Sequence, residues 1–245
     1  MSEPFFSIVI PTKNRAFLLR HAIESLLKQT FTDFEIIVAD NDDTDATTQV
    51  IRKCKDPRLI HVRTGKLSMP DNWEAGCENA QGQFVCVLED KQALKRRALE
   101  RLHEMIGRRQ PLVVKWQCDM FQDEASPARL RRAKTSPDGP RMISSDEALT
   151  QFCSDLKETY KTVLPLPQRG AFHKEVLRQI REGVMGRLFH PVSPDVNLAL
   201  LALNYVDEIL DVPAALGVYM SSVHSNGRSS AEKGALFQQF LRELQ

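Results

Sequence analysis

Apolar residues recur along the first half of the chain in blocks that alternate between strand and helix patterns. Short continuous apolar runs predict buried strands at Ser7–Ile10, Phe34–Ala39, Leu59–Arg63, Phe84–Leu88 and Leu112–Trp116. Between them, apolar positions repeat at helical spacing at Leu18–Leu27, at Val50–Cys54, after a capping Ser68, and at Leu94–Ile106. Strands that alternate with helices predict an α/β fold, a mostly parallel central sheet with helices on both faces.

The pattern changes after the fifth predicted strand. Residues 118–140 are rich in Pro, Ser, Asp and Arg with few apolar positions, which predicts a surface loop. Helical patterns then return at a capping box, Ser144–Glu147, and at Lys174–Glu182, Asp195–Leu203 and Ser230–Leu244. No internal repeat is visible, so we expect a single domain over residues 1–245.

Composition excludes several classes of protein. The formal net charge of +1 gives no electrostatic basis for binding nucleic acid. Five scattered cysteines without CxxC spacing indicate a reduced protein, not a disulfide frame or a zinc site. The start, MSEPFF, has no signal-peptide pattern, and the longest apolar run, Leu198–Leu203, is far shorter than the ~20 residues of a spanning helix. We therefore expect a soluble cytoplasmic protein that can still work at a membrane surface.

Polar residues follow the first two predicted strands. Pro11, Thr12, Asn14 and Arg15 follow the first strand, and Asp40–Asp43 follow the second. Ligands of open α/β sheets bind just beyond the carboxyl ends of the strands, so these residues are candidates for a nucleoside site. The alternative is structural, with Asn14, Asp42 and Asp43 capping helices and Arg15 in solvent.

Together with Glu89-Asp90-Lys91-Gln92 after a central strand, these features resemble the inverting nucleotide-sugar glycosyltransferases of family 2, which have the GT-A fold. The resemblance is closest over Phe6–Leu102 and weaker over Gln168–Gly227. The chain has neither the GxGxxG of dinucleotide-binding dehydrogenases nor a GxxxxGK[ST] P-loop. The resemblance implies transfer of a sugar from a nucleoside-diphosphate donor to a hydroxyl of a saccharide or glycolipid, in surface glycan biosynthesis. It also implies a donor half at about 1–117 and an acceptor half at about 141–245.

The resemblance assigns donor-binding roles to residues of this sequence. Asp40 is expected to accept a hydrogen bond from the base, and Arg15 to meet phosphate charge. Glu89 and Asp90 are expected to hold the ribose and a divalent cation, Mg²⁺ or Mn²⁺, that bridges the phosphates. The complete expected donor site is Pro11, Thr12, Asn14, Arg15, Asp40, Asp42, Asn72, Glu89, Asp90 and Lys91.

This sequence departs from the family at Lys91 and Gln92, which stand where carboxylates are expected. Three interpretations follow. Asp90 holds the metal with water and phosphate alone, since magnesium needs few protein ligands. Alternatively, Lys91 acts as a point charge on the diphosphate and reduces the need for metal. In the third, the chain is a nucleotide-sugar-binding module without turnover.

Two later residues are candidates for chemistry. By resemblance, Asp195 is the general base that deprotonates the acceptor hydroxyl; the alternative is that it caps its helix. His224 is a possible further metal ligand, with an ordinary surface histidine as the alternative. The basic run Arg129–Lys134 predicts a solvated loop or a contact with lipid headgroups or a lipid-linked acceptor. The sequence does not indicate an oligomeric state.

Overall fold

The computed structural model describes residues 3–122, 128–155, 162–183 and 185–221. The predicted helix at Ser230–Leu244 and the candidate ligand His224 lie outside these ranges. The strands are β1 (Phe6–Thr12), β2 (Phe34–Asp40), β3 (Leu59–Arg63), β4 (Phe84–Val87), β5 (Gln92–Leu94), β6 (Val113–Gln122), β7 (Arg129–Arg131), β8 (Arg141–Ser144), β9 (Gly170–His173) and β10 (Glu208–Ser221). The helices are α1 (Ala16–Leu27), α2 (Ala46–Lys53), α3 (Met69–Glu78), α4 (Ala98–Arg109), α5 (Ser145–Ser154), α6 (Lys174–Glu182) and α7 (Pro194–Asn204).

The first half is the parallel α/β unit that the sequence predicts. β3, β2, β1 and β4 lie side by side and are parallel, with Thr12 of β1 opposite Asp40 of β2. Alternate residues of β1 enter two apolar clusters: Ile8 packs with α1 and α4, whereas Val9 packs with α3, α6 and α7. The carboxyl ends of these strands therefore form one common edge.

The second half of the sheet is mixed. From β4 the order continues β9, β6, β10 and β5. β9 is antiparallel to both β4 and β6, and β10 is parallel to β6 but antiparallel to β5 and β8. Among the antiparallel pairs of the described strands, only β6 and β7 follow each other closely in the chain, and strands joined by so short a connection can pair only as an antiparallel hairpin. The parallel arrangement thus holds for the first four strands, and the later strands add antiparallel pairs.

Two predicted boundaries are wrong. Leu94 belongs to β5, not to the following helix, because Gln92–Leu94 pair with Gly217–Tyr219 of β10 and α4 begins only at Ala98. Residues 118–140 are not a loop throughout: β6 continues to Gln122 and pairs with β7. The buried Asp119 fixes this hairpin, since its carboxylate accepts from the Ala133 backbone N–H and pairs with Lys95 and Arg132, each at 2.9 Å.

The third helix lies unusually close to the sheet. A Cβ atom added at Gly76 of α3 would lie 2.5 Å from Cγ1 of Val9. Ser68 caps α3 by accepting from the Asp71 N–H at 3.4 Å, as the sequence predicts. The close approach brings Asn72 of α3 against the end of β2, where its Nδ2 donates to the Ala39 carbonyl at 3.2 Å.

Candidate active site

The loops after β1 and β2 are tied to each other by Asn14. Its Nδ2 donates to Asp43 at 2.7 Å, its Oδ1 accepts from the Asp43 N–H at 3.0 Å, and its own N–H donates to Asp42. Asn14 adopts a left-handed backbone with φ of 56°, which asparagine tolerates better than most residues. These contacts make the two candidate loops one structural unit.

Asp40 and Asp42 are buried, and protein groups already occupy their carboxylates. Oδ1 of Asp40 accepts from the Asp42 N–H at 3.0 Å, and its Oδ2 lies 2.8 Å from Nε2 of His61 and 3.4 Å from the Thr48 hydroxyl. Asp42 accepts from both the N–H and the hydroxyl of Thr47, at 3.3 and 2.7 Å. Asp42 thus bonds the first turn of α2, although the N-cap itself is Asp45 and not Asp42 as the structural alternative has it. A direct bond from Asp40 to a base stays a prediction.

Asn72 and Asn41 shape the segment that follows β3. Oδ1 of Asn72 accepts from the Thr64 hydroxyl at 2.6 Å, so both ends of its amide have protein partners. Asn41, which the sequence did not single out, exchanges two bonds with the Leu67 backbone at 2.8 and 2.9 Å. Donor contact by Asn72 remains a prediction, and its contacts here hold residues 64–68 against the end of β2.

Asp90 is a second fully buried carboxylate at the common strand edge, as buried as Asp40. Oδ2 accepts from the Thr12 hydroxyl at 2.9 Å and pairs with Arg15 Nε at 2.9 Å. Oδ1 is buried and has no hydrogen-bond partner among the described residues. Burial raises the pKa of Asp90 to about 6, although the Arg15 charge and the Thr12 bond act in the opposite direction. The structure thus brings three predicted site residues into direct contact.

The turn from Glu89 to Gln92, called the donor turn after its predicted role, is closed by its own side chains. Nζ of Lys91 lies 3.4 Å from Glu89, and Oε1 of Gln92 accepts from the Glu89 N–H at 2.8 Å. The Lys91 side chain is mostly buried and shares its charge with Glu89. Lys91 therefore lies in the donor turn itself, as required by the interpretation in which its charge reduces the need for metal.

Asp195, the predicted base, is connected to this turn. Its Oδ2 accepts from the side-chain Nε2 of Gln168 at 3.1 Å, and the backbone carbonyl of Gln168 accepts from Nε2 of Gln92 at 3.3 Å. Asp195 lies in the first turn of α7, but the N-cap is Ser193, so Asp195 is not the capping residue. Ser193 has a left-handed backbone with φ of 47°, the kind of strain found at functional sites. Sequence patterns gave no signal for Gln168, because a glutamine in a polar turn is unremarkable.

The segment before α7 is held by carboxylates of α3. Glu74 accepts from the backbone N–H groups of Leu188 and Phe189 at 2.9 and 3.1 Å and pairs with Arg181 at 3.0 Å. Asp71 pairs with Arg187 at 2.6 Å. The element that carries Asp195 is therefore docked on the helix that also packs against β1 and β2.

This site offers a divalent cation few protein ligands. Within the described residues no three His, Cys, Asp or Glu side chains form a metal-binding group. The unpartnered Oδ1 of Asp90 is nevertheless an available oxygen ligand, and Mg²⁺ accepts one or two carboxylates with substrate phosphates. The residues therefore fit a cation whose remaining ligands are water and the donor diphosphate.

A shallow open cleft of about 540 Å³ lies beside the two tied loops. Its walls are Asn14, Ala16, Phe17, Asp42, Asp43, Thr44 and Ala46. The Phe17 ring is 56% exposed, which is unusual for a large apolar side chain. This cleft does not include Asp90 or Asp195, so it borders the candidate site and is not its chemical centre.

Known proteins resemble this chain in sequence and in fold. The Glycosyl transferase family 2 profile matches residues 7–179. The GalNAc(5)-diNAcBac-PP-undecaprenol beta-1,3-glucosyltransferase of Campylobacter jejuni is 36% identical over 103 residues, 40% of this chain and 33% of that relative. A PGL/p-HBAD biosynthesis glycosyltransferase of Mycobacterium bovis is 31% identical over 115 residues, 45% of each chain. The chain thus spans less than half the length of these curated relatives.

The solved structure of Staphylococcus aureus TarS with UDP-GlcNAc has the same fold. It matches with a TM-score of 0.71 at 14% identity, covering 98% of this chain and 66% of that chain. At this identity the likeness establishes the fold alone. It confirms the predicted GT-A class, an α/β architecture with a central sheet flanked by helices.

Proposed function

The chain belongs to glycosyltransferase family 2. We propose that it transfers a sugar from a nucleoside diphosphate to an acceptor hydroxyl and inverts the configuration at the anomeric carbon. The observation that carries this proposal is the connection of Asp195 to the Asp90 turn through Gln168 and Gln92. A partly exposed carboxylate next to the predicted donor turn is where a base for acceptor attack is needed.

The reaction is a single displacement. The acceptor oxygen forms a bond to the anomeric carbon, and the bond from that carbon to the diphosphate oxygen breaks with its electron pair leaving on the diphosphate. Asp195 takes the proton of the acceptor hydroxyl. Arg15 and Lys91 lie beside Asp90 and Glu89, where cationic side chains can stabilise charge on the departing diphosphate.

A divalent cation would be held by Asp90, through the oxygen that no residue in the described ranges contacts by a hydrogen bond, with Glu89 nearby. Such an ion supplies charge neutralisation to the diphosphate leaving group. Lys91 lies next to this position and contributes a fixed positive charge. We expect Lys91→Ala to make turnover more dependent on added Mg²⁺ or Mn²⁺. If excess chelator affects wild type and variant identically, Lys91 does not compensate for missing carboxylates.

For the acceptor, we propose a saccharide carried on a lipid or a surface glycan. One relative is named for a PP-undecaprenol substrate. Another, 28% identical over 102 residues, is the poly(ribitol-phosphate) beta-N-acetylglucosaminyltransferase TarS of Staphylococcus aureus. No helix within the described ranges is both long and apolar enough to cross a bilayer. Independently of that finding, we propose that the exposed arginines of β7 contact the cytoplasmic face of a membrane.

The test is donor hydrolysis and transfer measured across UDP-, GDP- and dTDP-sugars, with Asp195→Asn as the decisive variant. We expect turnover with at least one donor and its loss in Asp195→Asn with nucleotide affinity retained. Asp138→Asn, an exposed carboxylate bonded to Ser136, is the matched control and should leave activity unchanged. Binding of a nucleotide sugar without turnover, over all donors and metals tried, would instead support the binding-module alternative.

A further inference from the structure

Gln168 holds the candidate base by its amide nitrogen. It lies in the 3₁₀ turn Pro167–Arg169, and its Nε2 donates to Oδ2 of Asp195 at 3.1 Å. Its Oε1 is buried and has no hydrogen-bond partner among the described residues. A buried amide with only one hydrogen-bonded end lowers the stability of the fold. Here the bonded end is Nε2, which donates to the Asp195 carboxylate.

Gln92 in turn holds Gln168. Oε1 of Gln92 accepts from the Glu89 N–H at 2.8 Å, while its Nε2 donates to the backbone carbonyl of Gln168 at 3.3 Å. A side-chain amide can accept and donate at once, whereas an ionised carboxylate can only accept. The carboxylate expected at this position from the family pattern would keep the bond to Glu89 and lose the bond to Gln168.

We propose that Gln92 and Gln168 are positioning residues that fix Asp195 relative to the donor turn. This inference rests on the proposed role of Asp195 as base. The chain of bonds runs from the Glu89 N–H through both glutamines to the Asp195 carboxylate, across three separate segments of the sequence. The glutamine at position 92 is then a functional replacement for a family carboxylate, not the remnant of a lost metal site.

Gln168→Met is the first test. Methionine keeps the length of the side chain and the backbone carbonyl that Gln92 contacts, and it removes only the amide that holds Asp195. We expect kcat to fall between about tenfold and 100-fold, the scale of a misplaced reacting group. UDP affinity and the donor KM should not change, because the donor turn is intact.

Gln151→Met is the matched control for this change. Gln151 Nε2 donates to the Glu147 carboxylate at 3.0 Å on α5, the same chemistry away from the site. We expect wild-type kcat in this variant. A folded Gln168→Met enzyme with wild-type kcat would overturn the inference, and Gln168→Ala provides the same comparison if the methionine variant does not fold.

Gln92→Glu is the second test, since it restores the family carboxylate. We expect kcat to fall, because the new carboxylate repels the Gln168 carbonyl. The double variant with Gln168→Met should be no slower than the slower single variant, since both act on one connection. A gain of activity in Gln92→Glu, or fully additive losses, would contradict the proposed path.

Failure of this inference is distinguishable from failure of the proposed function. If Asp195→Asn retains turnover, Asp195 is not the base and the premise is wrong. If Asp195→Asn is inactive while Gln168→Met and Gln92→Glu both match the wild type, only the positioning role is wrong.

Discussion

At the scale of single residues, the candidate site is built from buried carboxylates whose partners differ. Asp40 has three protein donors, and Asp42 bonds the start of α2. Asp90 pairs with Arg15 and Thr12 through one oxygen, and its other oxygen has no hydrogen-bond partner in the part of the chain that the structure describes. Carboxylates in the same strand-end layer therefore have separate tasks: Asp40 and Asp42 hold loops, and Asp90 keeps an oxygen available.

The raised pKa of Asp90 makes its contribution to stability dependent on pH. The carboxyl has a pKa of about 6 in the folded protein and 3.8 as the ordinary value. Its stabilising contribution is present below the unfolded value and is lost as the pH rises through the folded value. Asp90→Asn removes this titration. We expect the unfolding free energy of the variant to rise relative to that of the wild type by about 2 kcal/mol between pH 4 and pH 7.

The measurement is urea unfolding of both proteins in chelator at several pH values. Asp138→Asn is the control, because that carboxylate is exposed. A difference between Asp90→Asn and wild type that does not vary with pH would show that the pKa of Asp90 is not raised in the folded protein.

Asp40 is expected to matter for nucleotide binding through the loops that it holds, whether or not it also contacts the base. Asp40→Ala leaves the Asp42 N–H and His61 without their acceptor. We expect affinity for the nucleotide-sugar donor to weaken by ~1–3 kcal/mol, the scale of an unsatisfied buried partner. Calorimetric titration with whichever of the UDP-, GDP- and dTDP-sugars binds the wild type measures this, and unchanged affinity in a folded variant would remove Asp40 from the donor site.

At the scale of elements, α3 connects the loops after β1 and β2 to the segment that carries Asp195, the predicted base. Its Gly76 permits close packing on β1, its Asn72 contacts the end of β2, and its Glu74 holds the backbone before α7. One helix therefore sets the distance between the two halves of the candidate site.

Gly76→Ala is expected to destabilise the protein, because the new Cβ would overlap Cγ1 of Val9 at 2.5 Å. We expect a loss of about 1–3 kcal/mol in unfolding free energy, the usual scale of overpacking. Gly107→Ala in α4 is the matched control. Nothing lies within 4 Å of its added Cβ, so the better helix propensity of alanine should raise stability. Equal effects of the two changes in urea unfolding would show that α3 is not closely packed.

At the scale of the whole molecule, charge is nearly balanced, with a formal net charge of +1, but it is not evenly distributed. The β6–β7 hairpin exposes Arg129, Leu130 and Arg131 side by side. Across the sheet, Arg131 pairs with Met120, Met120 with Tyr219, and Tyr219 with Gln92 of the donor turn. Three strand spacings of ~4.8 Å place the hairpin about 14 Å from that turn.

This hairpin is expected to contact anionic lipid. We expect the protein to sediment with vesicles that contain phosphatidylglycerol and not with neutral vesicles, and the doubly substituted Arg129→Glu, Arg131→Glu protein to lose that binding. The matched control is Arg108→Glu, Arg109→Glu at the end of α4. If both double variants bind equally, or if no vesicle binds the wild type, the hairpin is not a membrane contact.

The sequence alone determined the first half of the fold, because short apolar runs and helical stripes are local signals of a parallel α/β unit. It also identified Thr12, Arg15 and Asp90, which follow strands whose ends must share one edge, and the structure brings these three together. Only the tertiary structure decided that β6 continues to Gln122, since that extension depends on pairing with β7 and β10 and not on a local apolar pattern. Likewise, no local pattern connects Gln92, Gln168 and Asp195, which are far apart in the chain. Their contact exists because the start of β5, the 3₁₀ turn before β9 and the start of α7 meet in space. A hydrogen bond depends on that geometry and not on spacing in the sequence.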